Sequence, residues 1–196
     1  MSSPQIYLAS LSPRRSELLT QIGVSHEVVR VVVDEGLQAD EAAAKYVVRL
    51  ALEKAQAGLA AIGDRPYRPV LGADTAVVVD DRILGKPADR DEALTMMALL
   101  SGRSHRVLTG VALAKAAGSE SLLSVSSVTF REVSADEALV YWQSGEPTDK
   151  AGGYGIQGLG ALFISHLEGS FSGVMGLPLY ETGELLRGAE IKTPGI

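Results

Sequence analysis

The segment Val70-Leu71-Gly72-Ala73-Asp74-Thr75-Ala76-Val77-Val78-Val79 constrains the fold more than any other. It is apolar almost throughout, opens after Pro69 and stops at Asp80-Asp81, and so reads as a buried strand that other elements must cover. Asp74 breaks the run. An unpaired buried charge is too costly to occur by default. Asp74 therefore either caps amides at a bend beside Gly72 or serves as a metal ligand or general base at a strand end. The break itself favours the functional reading.

The surrounding pattern alternates strands and helices. Residues 5–9 read as a short strand, followed by a helix with Ser12 as N-cap, Pro13 at its first position, Leu18, Leu19 and Ile22 as its apolar stripe, and Gly23 as its stop. Arg14 and Arg15 then fall in the first turn, where two guanidinium groups beside free backbone amides form a natural phosphate cradle. His26 to Val33 reads as a second strand, and a long helix from Glu41 to Ile62 follows the cap Asp40. In that helix Lys54 shares the face of Val47, Leu50 and Ala51, a position that suits either a snorkelling lysine or a ligand-binding one. Asp89 with Glu92 and Ser134 with Glu137 resemble capping boxes for helices ending near Gly102 and Gly145. Residues 104–116 and 121–131 read as a hairpin, Gly85-Lys86-Pro87 as a turn, 178–187 as a closing helix and 187–196 as a loose tail. The sum is a single α/β domain over residues 1–196, with a mixed sheet and no interdomain linker.

Composition removes whole classes of function. Lys and Arg total 18 against 24 Asp and Glu, a net charge of −6, the wrong sign for gripping nucleic acid. The absence of cysteine excludes disulfides, zinc-thiolate sites and cysteine nucleophiles, and fits a reducing cytoplasm. No basic leader or 18-residue apolar run is seen, so a cytoplasmic protein without a membrane partner is expected. His26, His105 and His166 lack metal-ligand spacing and read as surface or satisfied histidines, which disfavours a Ser-His-Asp triad. The glycine-rich stretch from Lys150 to Gly160 is no Walker loop. What remains is oxygen donors with Lys and Arg, a set suited to Mg²⁺ or Mn²⁺ and phosphates.

Taken in order, Leu8-Ala9-Ser10-Leu11-Ser12-Pro13-Arg14-Arg15, Val33-Asp34-Glu35, Glu53-Lys54-Ala55, Gly72-Ala73-Asp74-Thr75, Gly85-Lys86-Pro87, Ser101-Gly102, Asp149-Lys150-Ala151-Gly152 and Gly176-Leu177-Pro178 resemble the Maf family of nucleotide pyrophosphatases. Gly153-Tyr154-Gly155-Ile156-Gln157-Gly158 resembles the branch acting on dTTP and UTP. The resemblance implies a twisted mixed sheet flanked by helices, two lobes around a central cleft, and a fold like that of the inosine-triphosphate pyrophosphatases. It implies hydrolysis of a nucleoside triphosphate to the monophosphate and pyrophosphate with a divalent cation, in the service of nucleotide-pool cleansing. Asp74 becomes the proton acceptor, Glu35 and Asp74 the metal ligands, and Ser10, Arg14, Arg15, Lys54 and Lys86 the phosphate-binding set. Arg14, Thr75 and Gln157 become the positions tied to substrate choice. The partner is a small-molecule nucleotide, with a homodimer as the oligomer considered. A nucleotide-binding regulator of cell division is the alternative, separated by whether pyrophosphate is released.

Overall fold

A computed structural model describes residues 3–193. The elements in chain order are β1 (Ile6–Leu8), α1 (Pro13–Gln21), β2 (His26–Val28), α2 (Ala43–Ala61), β3 (Val70–Val79), β4 (Arg82–Leu84), α3 (Arg90–Leu100), β5 (Ser104–Lys115), β6 (Gly118–Phe130), α4 (Ala135–Gln143), three short 3-10 helices (Glu146–Asp149, Ala151–Gly153 and Leu159–Phe163), β7 (Ile164–Glu168), α5 (Phe171–Met175) and α6 (Leu179–Gly188). The strands form one seven-stranded mixed sheet in the order β2-β1-β3-β5-β6-β7, with β4 paired to β3. β1 runs parallel to both β2 and β3, whereas β4 on β3 and β7 on β6 are antiparallel. The expected α/β class and mixed sheet are therefore present.

The chain divides into two compact units. The first takes the chain up to Asp74, Thr109–Ser124 and the chain from Gly176 onward; the second takes Thr75–Leu108 and Val125–Met175. The core of the first includes Tyr7, Ala9, Val29 and Val70, with a second apolar cluster of Ala51, Ala55, Ala112 and Ala114. In the second, Val77, Met97, Leu100, Phe130, Tyr154 and Phe163 pack together.

In the first unit α2 lies directly on backbone. A Cβ at Gly72 would stand 2.4 Å from the Ala51 carbonyl oxygen and 2.6 Å from the Ala55 nitrogen. One at Gly110 on β5 would stand 2.4 Å from the Val47 carbonyl oxygen. Only glycine leaves room for a helix this close.

Several expectations change at element boundaries. β2 stops at Val28 instead of Val33: Val29 still donates to the Leu8 carbonyl at 2.9 Å, but Val32 is almost wholly exposed. Asp40 is no cap, because its φ of 55° is left-handed and α2 starts at Ala43 behind Ala42. Ser12 holds the N-cap position of α1 without a side-chain capping bond. The capping box of Ser134 and Glu137 forms completely, and Asp89 caps α3 by accepting from Glu92 N–H. The tail expected to be loose from 187 is held as far as it is described. α6 reaches Gly188, Ala189 to Ile191 bond back to Leu185, Leu186 and Arg187, and Gln5 donates to the Lys192 carbonyl at 2.6 Å. Residues 194–196 of that tail lie outside the described residues. Among the described residues no helix is long and apolar enough to cross a membrane.

Candidate active site

The charged residues of the first unit meet because of register. Val70, Gly72 and Asp74 alternate onto one face of β3. α2 covers that face, with Gly58 against Val70 and Ala51 and Ala55 against Gly72. The turn of α2 beside Gly72 also carries Lys54, whose Nζ donates to Asp74 Oδ1 at 2.7 Å. The same ammonium reaches Glu35 Oε1 at 2.5 Å. Lys54 and Asp74 side chains are each 12% exposed, whereas Glu35 is 57% exposed, so the ammonium joins an interior carboxylate to a surface one. Of the two readings of Lys54 the snorkelling one falls, because its ammonium ends in an ion pair with an interior carboxylate.

Burial pushes the Asp74 carboxyl above the ordinary aspartate range, and the Lys54 and Arg15 cations oppose that rise. A carboxylate whose proton affinity is raised by burial, with a cation bonded to it, is chemically suited to accept a proton. Burial also lowers the Arg15 guanidinium from its usual value, with Asp74 and Glu35 raising it and Arg14 lowering it, so all three of those charges act on Arg15. Arg15 donates from Nη1 to Ser10 Oγ at 3.1 Å and from Nε to the Gly176 carbonyl at 2.7 Å, which fixes its fork. Ser10 Oγ also accepts from Ser12 N–H at 3.2 Å. Arg14 is half-buried in the first turn of α1.

The loop bearing Glu35 is held by residues that periodicity alone does not single out. Tyr46 donates to the Glu35 carbonyl at 3.0 Å and Arg49 Nη2 to the Gly36 carbonyl at 3.0 Å. Arg49 in turn is gripped by Glu41 and Glu53. Their available signal is a stripe, since Tyr46, Arg49 and Glu53 recur three and four residues apart along one side of α2.

Glu35 and Asp74 supply oxygen donors of the kind a hard divalent cation takes, usually one or two carboxylates completed by phosphate oxygens and water. Among the described residues no group of three or more acidic or histidine side chains gathers to hold a metal unaided. The two carboxylates fit a hard divalent cation by the chemistry of their oxygens.

The remaining candidates belong to the second unit. Thr75 is half-buried next to Asp74 on β3, Lys86 is exposed just after β4, and Gln157 is exposed in the glycine-rich segment. There the Gly158 N–H reaches the Gly155 carbonyl at 3.4 Å, a turn that buries Ile156 and leaves Gln157 outside. Of the histidines, His26 is satisfied by Ser16 and Val24, and His166 is exposed. His105 departs from expectation. It is buried, with Nε2 bonded to Tyr154 Oη at 2.7 Å and Nδ1 without a partner.

Maf-like proteins as a family match residues 5–189. The chain is 55% identical to the dTTP/UTP pyrophosphatase of Alkalilimnicola ehrlichii, covering 96% of this chain and 94% of that protein. It is 51% identical to the dTTP/UTP pyrophosphatase of Saccharophagus degradans, covering 97% and 91%. A solved nucleoside-triphosphatase, dITP/XTP pyrophosphatase, from Mycobacterium abscessus aligns over 64% of this chain and 73% of its own at 19% identity and a TM-score of 0.44.

Proposed function

Since the chain belongs to the Maf-like family, we propose that it hydrolyses dTTP and UTP to the monophosphate and pyrophosphate. The observation that carries this reading is the interior ion pair of Lys54 and Asp74, joined to Glu35 beside the Arg15 fork. Such a group of charges suits a phosphoanhydride, whose hydrolysis needs charge neutralisation and positioning more than covalent chemistry.

Asp74 is the proton acceptor: it takes a proton from the water that attacks the α-phosphorus, the bond to the β-phosphate oxygen breaks, and pyrophosphate leaves. Lys54 keeps Asp74 ionised until then, against the pull of burial. Ser10, Arg14, Arg15, Lys54 and Lys86 bind the triphosphate; Arg15 is already oriented by Ser10 and Gly176, so little ordering is left for substrate to impose. Glu35 and Asp74 would hold Mg²⁺ or Mn²⁺, which neutralises charge on the phosphates. Arg14, Thr75 and Gln157 govern substrate choice, and the Gln157 amide, with a donor and an acceptor, suits a pyrimidine edge. Clearing unwanted pyrimidine nucleotides from the cytoplasmic pool is the role that such a reaction fits.

The test is a panel of nucleoside triphosphates with Mg²⁺ or Mn²⁺ and a coupled readout of pyrophosphate. Pyrophosphate should come from dTTP and UTP, with ATP, GTP and 7-methyl-GTP largely spared, and Gln157→Ala should narrow that gap while leaving the metal requirement unchanged. Binding without turnover would support the regulatory alternative. Equal turnover of purines and pyrimidines would overturn the substrate assignment.

A further inference from the structure

Gln157 sits in a turn between two short 3-10 helices, Ala151–Gly153 and Leu159–Phe163, so whatever fixes the start of the second also places the amide. One carboxylate does most of the shaping. Glu146 Oε1 accepts from Tyr141 Oη–H at 2.8 Å and from Gly160 N–H at 3.1 Å, and Oε2 accepts from Leu159 N–H at 2.8 Å. Tyr141 Oη itself accepts from Gly155 N–H at 3.0 Å. Backbone donors before and after Gln157 thus converge on one Tyr-Glu pair. The fit leaves no slack: a Cβ at Gly158 would lie 2.2–2.6 Å from the Glu146 carboxylate. Glu146 is fixed from its own side too, since Lys150 Nζ donates to its carbonyl at 2.6 Å.

We propose that Glu146, with Tyr141 behind it, is a positioning residue that sets the conformation of the segment 155–160 and thereby the preference for a pyrimidine. The inference rests on the functional reading above, in which Gln157 meets the base. A carboxylate is needed because it only accepts. In an amide of the same size, the NH₂ would face either the Leu159 N–H or the donors of Gly160 and Tyr141, whichever way it turned. Burial works against ionisation of Glu146, yet the amides of Gly160 and Leu159 and the Tyr141 hydroxyl hold its carboxyl below the ordinary glutamate range.

The experiment compares kcat and KM for UTP and ATP, inhibition by inorganic pyrophosphate, and Tm, in the unmodified protein and in Glu146→Gln. KM for UTP should rise about tenfold and the UTP-to-ATP ratio of kcat/KM should fall about tenfold, the scale of a hydrogen-bonded charge lost. Inhibition by pyrophosphate, which has no base, should not move. Tyr141→Phe, which keeps its ring in the same apolar site, should shift the same ratio by about threefold. If Glu146→Gln does not fold, Tyr141→Phe decides on the same readouts. A folded variant with the ratio intact overturns the inference, as does one in which pyrophosphate inhibition weakens along with UTP binding. Absence of pyrimidine preference in the unmodified protein would instead remove the functional reading, and this inference with it.

Discussion

The charged cluster of the first unit and the glycine-rich segment of the second both hold polar groups in a fixed arrangement, but with different parts. In the cluster, side chain meets side chain: Lys54 joins Asp74 to Glu35, and Arg15 meets Ser10. In the segment, main chain meets side chain, because the N–H groups of Gly155, Leu159 and Gly160 end on Tyr141 and Glu146. The first arrangement places full charges where a phosphoanhydride needs them. The second shapes a surface, and its tolerance for change depends on backbone fit. Substitutions in the cluster should therefore alter rate, whereas those in the segment should alter choice or stability.

The sharpest way to break this contrast is Asp74→Asn. It keeps volume and an acceptor for Lys54 while removing the charge, so kcat should fall about 10³-fold or more, with Tm nearly held. Unchanged turnover in a folded variant would deny Asp74 its role, and loss of fold would make the carboxylate structural.

Lys54→Ala should act less severely and through pH. It removes the ammonium bonded to both carboxylates, so the Asp74 carboxyl, already raised by burial, rises further. The acid limb of the pH–rate profile should move to higher pH. A limb that stays in place while KM alone changes would make Lys54 a substrate contact and nothing more.

The smallest effect on rate belongs to the second unit. Burial lowers the His105 imidazole to about 4 from an ordinary 6.5, so the folded protein holds it neutral where an unfolded chain protonates it. Its folded value lies below its unfolded one, so this contribution is complete above pH 6.5 and is lost as pH falls toward 4; it amounts to at most about 3 kcal/mol. His105→Phe should flatten the fall of Tm over that window and leave turnover of UTP at pH 8 within about threefold of the unmodified protein. An equally steep acid loss in His105→Phe would assign that sensitivity to other groups.

Sequence patterning anticipates the rigid framework well, because β3, α2 and the capped helices α3 and α4 follow from apolar runs and capping residues a few positions apart. It misjudges β2 and the helix start at Asp40, where a left-handed backbone and an exposed Val32 override local propensity. In the cluster, Asp74 and Lys54 are legible because each is a charge at an apolar position. Glu35 is not, since an exposed acid in a loop carries no periodic signal; the family resemblance supplies it. Glu146, Tyr141 and His105 escape for a different reason. Their partners are backbone amides or residues up to 49 positions away, and neither spacing nor hydropathy encodes such contacts.

The contact of α2 with Gly72 and Gly110 has a mechanical consequence for the Lys54–Asp74 pair. Where helices rest on sheets through side chains, the gap between them is an elastic layer, and it drifts as those side chains are exchanged over evolutionary time. Here main-chain atoms of Ala51, Ala55 and Val47 fill the places where a Cβ on Gly72 or Gly110 would stand, so the spacing depends first on those two glycines. The separation of ammonium and carboxylate thus rests on a hard stop, like a joint seated on metal instead of on a gasket.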